Sequence, residues 1–171
     1  PTVMHDVCLS VGSVGPDDPE ILERIAALVR RARPRLFTQH LAMTHGPDGT
    51  QIGHLAPVRY TETLLDVVCE RVDPWQHTFD TRVALENITQ PFVVPSELSE
   101  GAFLHEVTRR TGCGVLLDLT NLLINAHNHG FDARAALDSY PLASVVQVHL
   151  AGGSHHGDYW IDSHSTAVAD D

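Results

Sequence analysis

Apolar, strand-like runs end on a histidine or a carboxylate four times along this chain: RLFTQH closes on His40, RVALE on Glu86, GVLLD on Asp118 and SVVQVH on His149. Such a group at the mouth of a buried strand costs free energy unless it is paired, hydrogen-bonded or bound to a metal. The runs are nearly continuous in apolar residues, as expected for a parallel sheet covered on both faces. Helical patterns with readable ends lie between them. Asp18, Pro19 and Glu20 open ILERIAALVRRA, Thr61 can cap ETLLDVVCERV, and ELSEGAFLHEVTRRTG closes at Gly112, each by a known capping chemistry. With the opening strand VMHDVCLSVGS, five strands alternate with helices, and the fold class is α/β. After GVLLD the reading places a loop through His129 and a helix from about Asp132 to Tyr140. The Gly152-Gly153 turn with His155 and His156 reads as a mobile lid, and IDSHSTAVADD reads as a closing loop.

The spacing separates two α/β architectures. The four strand-end residues stand 46, 32 and 31 positions apart, and a (β/α)8 barrel of about 250 residues has a unit of about 31. In such a barrel the catalytic groups come from the C-terminal ends of several strands, whereas a doubly wound sheet concentrates its signal in one Gly-rich turn. Neither G-x-G-x-x-G nor a P-loop occurs here. The expectation is therefore a TIM barrel, formed as a single domain over residues 1–171. A chain of this length holds about five such units, not eight, so the barrel is apparently incomplete. It is a fragment, an open or shortened barrel, or one whose remaining strands come from elsewhere.

Charge and composition exclude several function classes. A net charge of -11 argues against nucleic-acid binding, because the basic cluster Arg30, Arg31, Arg33 and Arg35 is short and reads as a solvated helix end. No run approaches the roughly 18 apolar residues of a spanning helix, so no membrane role is expected. Three widely spaced cysteines, Cys8, Cys69 and Cys113, make a disulfide framework improbable. They read as small buried hydrophobes in a reduced, cytoplasmic protein.

Taken singly, a histidine such as His40 is more readily a hydrogen-bonded core residue than a ligand. Taken together, His40, Glu86, Asp118 and His149 would face one another at one end of a barrel. Two carboxylates and two imidazoles in a dry pocket disfavour each other's charges without a cation, and a metal site resolves the conflict. Asn121, three residues beyond Asp118, and the pair Asp162 and His164 enlarge the set, and His5 joins it in one of its two strand registers. One catalytic metal needs about three protein ligands, so this set suggests more than one. Nitrogen and oxygen donors without thiolate suit iron, manganese or zinc. The remaining histidines, among them His45, His54, His127 and His129, fall on loops or helix faces and read as solvated or structural.

The strings LENI, CGVLLDLTNLLINAHNHGFD, VVQVHLAGG and IDSH, with HDVCLSVGS and TQHLA before them, resemble the multinuclear non-haem iron-dependent oxidases, a family whose best-known members make methanobactin. The resemblance covers almost the whole chain. It implies a xylose-isomerase-like TIM barrel and metal ligation by His5, His40, Glu86, Asp118, Asn121, His149, Asp162 and His164, with Glu86 bridging ions and with Glu86, Asp118 and His149 at the catalytic centre. It implies two or three irons, dioxygen as oxidant, a cysteine of a ribosomally made precursor peptide as substrate, and a peptide-delivering partner protein. Three departures stand out: Thr120 precedes Asn121 where a second asparagine is common, Gly153 replaces a frequent histidine, and Ser165 replaces a usual glycine. The first strand and the last two of the family barrel, with a late acidic ligand, have no counterpart. Two readings remain beside the oxidase: a divalent-metal hydrolase or isomerase of the same barrel group, using a metal-bound water or Lewis-acid metal, and a catalytically silent metal-binding or peptide-docking scaffold.

Overall fold

The computed structural model describes residues 2–168; the closing segment read as a loop extends into residues 169–171, outside the described part. Strand β1 (Val3–Asp6), helix α1 (Pro19–Ala32) and strand β2 (Leu36–His40) open the fold. A hairpin of β3 (Met43–His45) and β4 (Gln51–Ala56) leads to α2 (Glu62–Phe79), β5 (Val83–Glu86), α3 (Glu100–Thr111) and β6 (Gly114–Asp118). Then follow α4 (Leu119–His129), α5 (Ala133–Asp138), β7 (Val145–His149) and a second hairpin of β8 (Gly152–His156) and β9 (Tyr159–Thr166).

The five expected strands form one parallel sheet in the order β1-β2-β5-β6-β7, with β1 and β7 at its open edges. Each strand pairs with the next parallel strand of the chain, as in successive βα units. The two faces differ. Outward-facing Phe37, Val83, Leu85, Val115 and Leu117 join the main core with Ile25 and Val29 of α1, Leu65, Val72 and Trp75 of α2, and Phe103 and Val107 of α3. Each of these large side chains contributes about 1.5–3 kcal/mol by leaving water. The inward face carries the small cluster Leu36, Ala84 and Leu116. Nearer the strand ends, at the alternate positions that share this face, stand Glu86 and Asp118, two residues beyond Ala84 and Leu116, and His40, which follows Leu36 and Thr38.

Local chemistry explains the element ends. Asp18 Oδ1 accepts from Glu20 N at 2.8 Å at the start of α1, Thr61 Oγ1 accepts from Leu64 N at 3.1 Å, and Gly112 ends α3 at φ 68°. A Cβ at Gly114 would meet Val146 Cγ2 at 2.6 Å, so glycine there lets β7 approach β6.

Several sequence expectations are corrected. The first strand was expected to run to Ser13, but Asp6 Oδ2 accepts from Cys8 N and Leu9 N and turns the chain after Asp6. Residues 119–129 are helical rather than looped: Asp118 caps α4, Gly130 ends it at φ 71°, and Leu122, Ile124 and Ala126 bury one face. The expected lid and closing loop are the hairpin β8–β9, and His45 and His54 lie on the β3–β4 hairpin. Cys113 is buried as expected, whereas Cys69 is half-buried and Cys8 exposed. No helix is long and apolar enough to cross a membrane among the described residues.

Candidate metal centre

Strand register brings the polar strand ends into contact. His40 is the lateral neighbour of Glu86 across β2 and β5, and Asp118 is that of His149 across β6 and β7. Glu86 lies between the two sets, buried at 3% exposure. Its Oε2 stands 3.6 Å from both His5 Nε2 and His40 Nε2, while its Oε1 lies 2.8 Å from His149 Nδ1. The two histidines of the first set approach to 3.3 Å through Nε2, and Asp118 Oδ2 lies 3.9 Å from His149 Nδ1. Two triads, His5 with His40 and Glu86, and Glu86 with Asp118 and His149, each offer ligand atoms within 4.8 Å of one another.

The rest of the site is built by α4 and the second hairpin. Asp118 is fully buried: its Oδ1 caps α4 by accepting from Asn121 N at 2.8 Å, and Asn87 clamps its backbone through Asp118 N and O. Asn121 Nδ2 donates to Asn87 O at 2.9 Å, leaving Asn121 Oδ1 buried without a partner. β9 brings in Asp162 and His164, whose Oδ1 and Nε2 stand 2.9 Å apart, too poorly aligned for a hydrogen bond. His164 adopts a left-handed φ of 48°, a strained conformation for a non-glycine residue. The structure thus gathers all eight sequence candidates, His5, His40, Glu86, Asp118, Asn121, His149, Asp162 and His164, around one cavity of about 300 Å³. A larger cavity, about 620 Å³ between α3, α4 and α5, lies away from this cluster and is mainly apolar.

Over residues 1–171 the chain matches the family of RiPP precursor modification enzymes MbnB/TglH/ChrH. The chain belongs to this family. It is 41% identical to a UPF0276 protein of Paraburkholderia phytofirmans, over 99% of this chain and 57% of that protein, and 37% identical to one of Chromobacterium violaceum, over 100% and 62%. It therefore spans less than two thirds of the length of these curated relatives. Two solved structures share the fold: the 3-keto-D-glucoside 4-epimerase YcjR of E. coli (TM-score 0.52, 15% identity, 88% of this chain and 58% of that one) and a D-tagatose 3-epimerase-like protein (0.54, 14%, 91% and 58%). Both are xylose-isomerase-like TIM barrels, and this MbnB/TglH/ChrH family chain forms part of such a barrel.

The donor set of this family member fits divalent cations on its own geometry. Glu86 Oε2, Asp118 Oδ2 and Asn121 Oδ1 are buried oxygens with no hydrogen-bond partner, an arrangement that is costly unless a cation satisfies it. Protonation is biased the same way. Burial, aided by nearby Asp118 and opposed by His149, pushes the Glu86 carboxyl up to about 7. Burial and the neighbouring His5 and His149 push His40 down to about 4, and burial with His149 lowers His5 as well. Burial also raises Asp162. Each shift disfavours the charged form, and a cation would reverse the penalty on the carboxylates.

Sequence reasoning missed three contributors to the site. Thr38 Oγ1 lies 2.8 Å from His5 Nδ1, Gln147 lies against His149, and Asn87 holds Asp118. Thr38 and Gln147 each precede a strand-end histidine by two residues, so a polar residue on the same face of an otherwise apolar strand was the available signal.

Proposed function

We propose that the protein is a multinuclear, iron-dependent oxidase that uses dioxygen to modify cysteine residues of a ribosomally made precursor peptide. Family membership supports the peptide substrate, and the two-sided contacts of Glu86 carry the multinuclear part. In this reading His5, His40 and Glu86 would hold one iron, and Glu86, Asp118 and His149 would hold a second. Asp162, His164 and Asn121 would complete the ligand set around them. Bound iron would supply a Lewis-acid and redox-active centre that passes electrons from the cysteine to dioxygen. Thr38 orients the His5 ring, Asn87 and the α4 cap hold Asp118, and β9 lines one side of the cavity with Asp162 and His164. A partner protein that delivers the peptide belongs to the same reading.

Protein purified without oxygen should contain two or more irons per chain by elemental analysis, with Mössbauer signals of coupled sites, and should consume dioxygen with its peptide. Glu86→Gln should keep its circular dichroism and lose at least one iron together with activity. Full iron content and activity in that variant would falsify the assignment. Turnover without dioxygen consumption would transfer the site to a hydrolase or isomerase, and zinc or manganese that resists replacement by iron would do the same.

A further inference from the structure

Gln147 occupies the inward face of β7, beside Leu116 of β6 and one pleat below His149. In this structure its Nε2 lies 2.9 Å from His149 Nε2, and its Oε1 is buried without a partner. An amide nitrogen can only donate, so His149 Nε2 accepts and the ring proton stands on Nδ1, donated to Glu86 Oε1 at 2.8 Å. With the amide in this orientation Gln147 Oε1 is orphaned beside His149, and Glu86 Oε2 and Asp118 Oδ2 are likewise buried without a partner.

A half-turn of the Gln147 amide exchanges its oxygen and nitrogen. Oε1 then accepts from His149 Nε2–H, and the Nδ1 lone pair turns toward Glu86 Oε1 and Asp118 Oδ2, which lie 2.8 and 3.9 Å away. Three electron-rich atoms facing one another repel unless a proton or a cation lies between them, and a cation there would take Nδ1 as a ligand. The same half-turn that satisfies the amide oxygen therefore frees the Nδ1 lone pair to bind a metal. We infer that Gln147 is a positioning residue that sets the tautomer of His149, so that His149 binds metal through Nδ1 while donating Nε2–H to the Gln147 amide oxygen. Metal-binding histidines generally hold their second nitrogen in this way, and loss of the outer partner typically weakens metal binding about 10–100-fold. The inference rests on the metal-centre reading above.

The test compares wild type, Gln147→Leu, Gln147→Met and Gln147→Glu. Iron(II) affinity is measured without oxygen against a competing chelator, and ring-nitrogen chemical shifts of the ¹⁵N-histidine-labelled zinc form identify the coordinating atom. Wild type should show Nδ1 coordination at His149. The leucine and methionine variants should lose about 10–100-fold in affinity for one metal, and the glutamate variant, which keeps an acceptor at the same reach, should recover most of it. Wild-type coordination through Nε2, or unchanged affinity in a folded leucine or methionine variant, overturns the role of Gln147 and leaves the metal centre standing. Failure of wild type to take up any metal overturns the centre itself. The nitrogen shifts of wild type decide the question even if the apolar variants do not fold.

Discussion

Glu100, at the start of α3, receives hydrogen bonds from two phenols: Tyr60 Oη donates to its Oε1 at 2.5 Å, and Tyr140 Oη donates to its Oε2. The residue keeps some surface at solvent, but its carboxyl end is enclosed, and burial raises it above its ordinary value of 4.5. A carboxyl raised in the folded state favours folding below its unfolded value, and that contribution is lost as pH rises through the folded value. Glu100→Gln keeps the packing and does not titrate, because a phenol can also accept from the amide. Its stability relative to wild type should therefore increase between pH 4.5 and 8, measured by urea unfolding; a difference that stays constant over that range contradicts the burial of this carboxyl. Glu100 gave no sign in the sequence, where it looks like an ordinary first-turn acid. His40, Glu86, Asp118 and His149 were legible because each interrupts an apolar run at a strand end. Thr38 and Gln147 were not, because a polar residue inside a strand points to a site only when its neighbours are known.

Elements were most legible where their ends carry local chemistry. α1 and α2 start at the expected caps and α3 ends at the expected Gly112, although it begins at Glu100 behind Ser99 and not at Glu97, and each inward strand end was readable as a polar residue closing an apolar run. α4 was overlooked because Asp118 serves both as strand end and as helix cap, so that no loop separates the elements. The segment after β1 illustrates a nonlocal cause. Arg71 of α2, almost buried, donates to the carbonyl oxygens of Ser10, Val11, Ser13 and Gly15 and pairs with Asp17 Oδ1 at 3.1 Å. With Trp75 Nε1, which donates to Asp17 Oδ2 at 2.6 Å, that side chain ties residues 10–17 to α2. Arg71→Met should destabilise the protein by about 3–5 kcal/mol, because it leaves a largely buried carboxylate and four carbonyl groups without their partner. Thermal or urea unfolding reads the loss; a change below about 1 kcal/mol, the value of an exposed pair, would show that the loop does not need the guanidinium.

At the scale of the whole molecule the sheet has two open edges. On β7, Val148 pairs beside outward-facing Leu117 yet remains 52% exposed, and Leu150 just beyond it is 55% exposed. An apolar edge strand is a template for association. Val148→Lys should therefore lower concentration-dependent self-association of the chain in sedimentation velocity while preserving its circular dichroism; equal association in both proteins would locate the sticky surface elsewhere. By itself the sequence determined the alternation of strands and helices, the α/β class, the barrel-like spacing and the residues that end the strands. Those properties follow from periodicity, capping and burial cost, all of which act over a few residues. Tertiary structure alone decided that the two oxygens of Glu86 face different histidines, that β8–β9 folds back to bring Asp162 and His164 over the strand ends, and that Thr38, Asn87 and Gln147 support the ligand set. These depend on register and strand twist, which arise from contacts between residues more than 30 positions apart and leave no local periodic trace.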